Sequence, residues 1–353
     1  MLIFSIIGAR PQFIKCALLS RAIRKDHKEI LVHTGQQYDP EMSEIFFKEL
    51  NIPEPDYNLG VGSGSHGEQT GKMLIEIEKI LLKKKPNLVL VYGDTNSTLA
   101  GALAASKLHI KVAHVEAGLR SFDRTMPEEI NRVLTDHISD LLFCPTETAV
   151  LNLKKEGITS GVYNVGDVML DALKYNIKIA EEKVNILESL GLSPEEYLVA
   201  TIHRASNTDS FKNLSAIVNV FCEVEVPIVF PVHPRTEKCL KKYELWDKLR
   251  EKVMAIPPLG YLEMLKLMAH AKKILTDSGG VQKEAYMLGV PCITLREDTE
   301  WVETVEEGWN VLVGANEERI KDTILKFKET KERKNSFGNG NACVDICEIL
   351  ENI

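Results

Sequence analysis

The chain has 353 residues, 44% of them hydrophobic and 27% charged, with a net charge of -8 and a pI near 5.7. That length is long for one hydrophobic core, so two domains are expected, and an acidic balance whose longest basic run is Lys83-Lys84-Lys85 argues against a nucleic-acid footprint. Seven cysteines without a CxxC pair point away from a zinc site or a disulfide framework, and no uninterrupted apolar run reaches the roughly 18 residues of a membrane span, so the expectation is a cytoplasmic protein with no membrane, nucleic-acid or metal partner.

In chain order, short apolar runs predict strands over 2–7, 29–33, 88–92, 111–115, 141–144 and 163–165. Helical patterns separate them, as at 11–24 and 96–108. A long polar helix is expected over about 169–190. The strand pattern then restarts at 197–202, 227–232, 252–256, 273–276, 291–295 and 310–313, with helices such as 261–271 between. Apolar strands alternating with helices imply parallel sheets covered on both faces. The expected fold class is α/β, with two Rossmann-like doubly wound domains. The first is expected over 1–166, with a closing helix at 340–353, and the second over 167–339.

Ligands of doubly wound sheets bind outside the carboxyl ends of the strands, and the suggestive residues sit there. Gly8-Ala9-Arg10 follows the first strand, Gly93-Asp94 the third and Glu116-Ala117-Gly118 the fourth. In the second series His203-Arg204, His233-Pro234 and Asp277-Ser278-Gly279-Gly280 hold the same places. One shared cleft between the domains is the expectation.

Ser278-Gly279-Gly280 opens a helix, and free N–H groups at a helix start attract anions. A strand-to-helix turn merely capped by Ser278 fits the same residues, and Glu284, one turn on, could reach ribose hydroxyls beside a diphosphate. The first strand is not followed by GxGxxG, which disfavours a dinucleotide enzyme and its cofactor. Arg10 and Lys15 near the first helix start could neutralise a leaving phosphate.

Asp94, Glu116 and Glu128 lie on different segments and could converge; carboxyls sharing a partly dry pocket push their pKa values apart and supply an acid and a base. Asp94 also suits a turn before a helix, and Glu128, after Pro127 and four residues before Arg132, also suits a helix start with an i,i+4 ion pair. Glu116 closes an apolar strand, where a carboxylate needs partners. His203 and His233, each ending a strand, lean toward ligand contact.

Together these segments resemble the non-hydrolysing UDP-N-acetylglucosamine 2-epimerase family. The matching runs are Gly8-Ala9-Arg10-Pro11-Gln12-Phe13-Ile14-Lys15, Val91-Tyr92-Gly93-Asp94-Thr95 and His114-Val115-Glu116-Ala117-Gly118-Leu119-Arg120. They continue with Pro127-Glu128-Glu129-Ile130-Asn131-Arg132, Thr201-Ile202-His203-Arg204, His233-Pro234 and Thr276-Asp277-Ser278-Gly279-Gly280. The resemblance implies a glycosyltransferase-B-like homodimer whose last helix crosses back to the first domain. It implies interconversion of UDP-GlcNAc and UDP-ManNAc without a redox cofactor, through elimination of UDP to a 2-acetamidoglucal and its re-addition. Acid–base roles would fall to Asp94, Glu116, Glu128 and His203, and substrate binding to Arg10, Lys15, Arg132, Ser278, Gly279, Gly280 and Glu284. An allosteric UDP-GlcNAc site would use Gln36, Gln69, Arg204 and His233, although His33-Thr34-Gly35-Gln36-Gln37-Tyr38 differs from bacterial members that carry it. Where many members have an Arg after a Thr-Glu pair, this chain reads Thr299-Glu300-Trp301-Val302-Glu303. That version resembles the branch acting on UDP-2,3-diacetamido-glucuronate, the alternative substrate. A glycosyltransferase of the same fold would not need three carboxylates at the sugar.

Overall fold

The computed structural model describes residues 1–36, 50, 52–329 and 332–352. Gln37 and Tyr38 lie outside them. The chain divides into two compact units, Met1–Tyr175 with Asn335–Ile353, and Asn176–Lys334.

The first unit is built on a parallel sheet of seven strands: β1 (Leu2–Ile7), β2 (Lys28–His33), β3 (Tyr57–Asn58), β4 (Leu88–Tyr92), β5 (Lys111–Val115), β6 (Leu141–Cys144) and β7 (Val162–Asn164). Their order is β3-β2-β1-β4-β5-β6-β7. β1, buried beyond Leu2, and β4, buried end to end, sit at the point where the chain reverses its winding direction. Phe4, Ile6, Val89 and Val91 pack there against Met73, Ile77 and Leu81 of the His66–Lys84 helix and the alanines of the Asn96–Lys107 helix. The sequence pattern misses β3, an edge strand of two residues, too short for an alternation to register.

The second unit carries β8 (Leu198–Thr201), β9 (Ile228–Pro231), β10 (Met254–Ile256), β11 (Lys273–Thr276), β12 (Cys292–Thr294) and β13 (Asn310–Leu312), ordered β10-β9-β8-β11-β12-β13 and parallel throughout. Alternate residues of β8 serve opposite faces. Leu198 and Ala200 join a core with Phe221, Phe230 and Ile293, while Tyr197 and Val199 join another with Leu267, Met268 and Ile274. Two apolar faces explain why these strands read as continuous hydrophobic runs.

The long polar helix expected over 169–190 is two helices, Val168–Lys183 and Ile186–Leu190, with a break at Val184 and Asn185. The division between units falls after Tyr175, within the first of these, rather than at Gly166. Its beginning is tied to the tail. The Asp167 amide donates to Phe337 O at 2.9 Å, and the Asp171 carboxylate accepts the Ala342 and Cys343 amides at 3.2 and 2.8 Å. Asp171 thereby caps the closing Ala342–Glu351 helix, which packs on the Arg10–Asp26 helix of the first unit. Gly166 and Gly338, both with positive φ, let their backbones meet: a Cβ on Gly166 would stand 3.0 Å from Phe337 O and 3.1 Å from Gly338 Cα. Among the described residues no helix is long and apolar enough to cross a membrane.

Candidate active site

In the first unit the carboxyl ends of β1, β4 and β5 carry the chemistry. The turn after β1 needs a glycine, because a Cβ on Gly8 would lie 2.1 Å from Thr34 Oγ1 and 2.2 Å from Ser97 Oγ. Gln12 then closes the backbone. Its Oε1 accepts the Gly8 and Ala9 amides at 2.8 and 3.0 Å, and its Nε2 donates to Tyr92 O at 2.8 Å, which stitches the end of β1 to the end of β4.

Glu116, immediately after β5, is 9% exposed and has φ of 71°. A non-glycine residue in the left-handed region costs on the order of 1 kcal/mol or more and persists where its surroundings hold it. The Glu116 and Ala117 amides both donate to Phe143 O at 3.1 Å, and the Glu116 carboxylate forms a buried ion pair with Lys15. Lys15 is therefore buried against a carboxylate, not displayed at the helix start with Arg10. Gly93 lies beside the pair: a Cβ there would meet Glu116 Oε2 at 3.2 Å and Lys15 Nζ at 3.3 Å. The next residue, Asp94, receives the Arg132 guanidinium at 2.6 and 3.0 Å, and the Asp94 carbonyl accepts Asn131 Nδ2 at 2.9 Å.

Arg132 and Asn131 belong to the Pro127–Ile138 helix, and one correction falls here. The carboxylate of this helix that partners Arg132 is Glu129, at 2.9 Å, and Glu128 makes no hydrogen bond or ion pair with the described residues. Helical spacing allows either residue, and Glu129 is the one turned inward, almost fully buried, where it also accepts the Ser121 and Phe122 amides at 2.9 and 3.0 Å. Half-exposed Glu128 keeps both carboxyl oxygens uncommitted. Phe122, in the loop that Glu129 clamps, has φ of 61° and is 72% exposed.

Asp94, Glu116, Lys15 and Arg132 thus form one neighbourhood of the first unit, with Glu128 on the helix that supplies Arg132. Gln36 and Gln69 form another, at the start of the Asn96–Lys107 helix. Gln36 Oε1 accepts the Ser97 amide and hydroxyl at 3.0 and 2.6 Å, and Gln69 Oε1 accepts Asn96 Nδ2 at 2.9 Å. Arg204 and His233 belong to the other unit.

In the second unit the ends of β8 and β11 are laced together. Thr201 and Thr276 hydroxyls meet at 2.5 Å, and Asp277, fully buried, accepts the His203 amide at 3.0 Å, the Arg204 amide at 3.1 Å and Asn207 Nδ2 at 3.0 Å. Asp277 is an internal clamp on the His203-Arg204 turn, so it is not one of the anion-facing groups of its motif. His203 presents its ring 3.5 Å from Asp277 Oδ1 and 6.2 Å, centroid to centroid, from His233.

Ser278 caps the Gly279–Leu288 helix by accepting the Val281 amide at 3.5 Å, and the next intrahelical bond runs from Gln282 N to Ser278 O. The Gly279 and Gly280 amides precede both bonds. Gly279 is required sterically, since a Cβ would fall 2.1 Å from Glu300 Oε1, whereas Gly280 faces space, with Ser278 Oγ at 3.9 Å. Glu300 is buried with Arg296 at 3.1 Å and has Arg204 at 4.0 Å. Buried Trp301 lies over Lys283, whose Nζ is 4.3 Å from the ring centroid. A buried cation therefore stands directly beneath the aromatic ring that replaces an arginine. The roles of Gln12, Glu129 and Lys283 escaped sequence reasoning, and Asp277, expected with the anion-facing turn, is spent on the His203 and Arg204 amides; the inward faces of these helices and turns become visible only with the fold. Among the described residues no group of His, Cys, Asp and Glu is arranged to hold a metal ion.

The arrangement matches known proteins along its whole length. Residues 21–351 match the family model described as UDP-N-acetylglucosamine 2-epimerase. A Methanococcus maripaludis protein named UDP-N-acetylglucosamine 2-epimerase homolog is 62% identical, with each chain covered in full. The UDP-2,3-diacetamido-2,3-dideoxy-D-glucuronate 2-epimerase of Pseudomonas aeruginosa is 49% identical, with 99% of each chain covered. Among solved structures, the UDP-GlcNAc 2-epimerase of Methanocaldococcus jannaschii, crystallised with UDP-GlcNAc and UDP, superposes with a TM-score of 0.94 at 52% identity over the whole of both chains. With two parallel α/β domains of the glycosyltransferase-B-like kind and this likeness from end to end, the chain belongs to the UDP-N-acetylglucosamine 2-epimerase family.

Proposed function

We propose that the protein is a non-hydrolysing epimerase interconverting UDP-GlcNAc and UDP-ManNAc by eliminating UDP to a 2-acetamidoglucal and adding it back on the inverted sugar. The observation that carries this reading is Glu116, a buried carboxylate on a left-handed backbone and ion-paired with Lys15, with Asp94 one residue beyond the adjoining Gly93. Removing the C2 proton is difficult because no carbonyl adjoins C2, so proton transfer must be coupled to departure of a stabilised leaving group. The Glu116, Asp94 and Glu128 carboxyls supply acid and base. The Gly279 and Gly280 amides, Arg10 and His203 receive the diphosphate as its charge grows, with Glu284 at the ribose. In this reading Arg132 holds Asp94 in place, and Lys15 does the same for Glu116.

Incubation with UDP-GlcNAc in D2O, followed by proton NMR, tests the proposal: both epimers appear with deuterium at C2. Release of free ManNAc and UDP would identify a hydrolysing enzyme, and an unexchanged C2 proton would defeat the reading. The Thr299-Glu300-Trp301-Val302-Glu303 segment and the Pseudomonas aeruginosa relative favour a second substrate, UDP-2,3-diacetamido-2,3-dideoxy-glucuronate, by the same chemistry. Offering both nucleotide sugars and comparing kcat/KM decides between them. We further propose that the protein works in the cytoplasm as a homodimer, which sedimentation of the purified protein checks.

A further inference from the structure

His114 is the penultimate residue of β5, fully buried, and touches none of the groups assigned above. Its ring nitrogens face acceptors on both sides. Nε2 is 2.7 Å from the Gly93 carbonyl oxygen, and Nδ1 is 2.7 Å from Asp136 Oδ1. A carbonyl oxygen can only accept, so Nε2 carries a proton. Asp136 also takes the Gly118 amide at 3.1 Å and Arg120 Nη1 at 2.7 Å, both donors, which suits an ionised carboxylate and leaves Nδ1 to carry a proton too. Burial pushes the Asp136 carboxyl up, but the hydrogen bond and charge of His114 together with Arg120 outweigh it and hold the group below the ordinary carboxylate range.

We propose that His114 is a buried imidazolium that positions the Gly93-Asp94 and Glu116-Ala117-Gly118 turns. One N–H fixes the carbonyl just before Asp94. The other fixes Asp136, whose second oxygen holds the Gly118 amide two residues beyond Glu116. One charged ring therefore sets the spacing of both carboxylate-bearing turns against the Pro127–Ile138 helix. The surrounding charges balance: Arg120 also pairs with Glu156 at 2.7 Å, and Glu156 meets His137 at 3.2 Å. The Cys144 thiol, near Asp136 and Arg120, is pushed up by burial and stays neutral. Lys15 and Glu116 neutralise each other at the strand end.

This inference rests on the epimerase reading for its kinetic consequence but not for the charge. Nitrogen-15 NMR of the histidine side chains in the intact protein at neutral pH should show both His114 nitrogens protonated, and a bare ring nitrogen overturns the proposal. For turnover, H114Q keeps an amide donor near the Nε2 position and H114N keeps one near Nδ1. Misplacing a reacting group by about 1 Å can cost about 100-fold, so H114N, which releases the Gly93 carbonyl, should lose about 100-fold in kcat with KM little changed. H114Q should retain more. Wild-type kcat in both folded variants overturns the positioning role. If the wild-type protein leaves C2 of UDP-GlcNAc unexchanged, the epimerase reading fails instead, and the nitrogen-15 spectrum still decides the charge on His114.

Discussion

The strand ends of the two units solve opposite electrostatic problems. In the first, carboxylates meet cations of the same unit: Glu116 meets Lys15, Asp94 and Glu129 meet Arg132, and Asp136 meets His114 and Arg120. In the second, the buried Asp277 clamp is satisfied from within, while the Gly279 and Gly280 amides stand ahead of the first bonds of their helix. Proton transfer needs carboxylates fixed at one distance and one protonation balance, and internal ion pairs give that rigidity. Receiving an anion needs donors not yet spent. The difference teaches that a group's value to the reaction lies in whether its partners are inside the protein or are left for the ligand.

The sharpest way to break the comparison is to neutralise the matched carboxylates. Asp94→Asn and Glu116→Gln should each lower turnover by about 100- to 10,000-fold, the contribution expected of a positioned acid or base. UDP affinity, read by calorimetry, should change little. Near-normal deuterium incorporation in either variant would remove that carboxylate from the chemistry.

Stability should respond next. Glu116→Gln leaves Lys15 buried without its counter-charge, and breaking a buried pair costs about 3–5 kcal/mol. The double variant Lys15→Met with Glu116→Gln removes both charges and should recover much of that loss in chemical denaturation while remaining inactive. Recovery of activity along with stability would mean that the pair serves only the fold.

The same logic gives a pH signature. The Asp136 carboxyl lies below its ordinary range, so its contribution is fully present above the unfolded-state value near 3.9 and is lost as pH falls through the lower folded value. Asp136→Asn should lower stability at neutral pH and flatten the acid limb of the stability curve. An unchanged limb would show that other carboxylates drive acid unfolding.

What sequence reading captured follows from where physics acts locally. Apolar runs fix the strands, and polar residues at their carboxyl ends, such as Asp94, Glu116 and His203, stand out by their place alone. Which of two adjacent carboxylates faces inward is not a local property. Glu128 and Glu129 both suit a first helical turn, and it is Glu129 that meets both Arg132 and the Ser121 and Phe122 amides of a loop outside the helix. Likewise Asp277 looks like part of an anion loop until β8 is laid beside β11 and claims its oxygens for the His203 and Arg204 amides. Trp301 reads as a lost cation, yet Lys283, remote in sequence, places its ammonium 4.3 Å from the ring centroid.

The smallest expected effect discriminates best, because the Ser278-Gly279-Gly280 turn began with equal claims as a cap and as an anion grip. Gly279→Ala would not separate them, since its Cβ collides with Glu300 in either case. Gly280→Ala does. Its Cβ meets nothing closer than Ser278 Oγ at 3.9 Å, and the backbone is already helical, so the free protein should gain about 0.5–1 kcal/mol from the better helix former. If a diphosphate lies against the Gly280 amide, the added methyl intrudes on it, and UDP should bind about tenfold more weakly, about 1.4 kcal/mol. A grip therefore predicts a higher melting temperature together with poorer UDP binding. A cap predicts the higher melting temperature alone, and that outcome would move the diphosphate away from this helix.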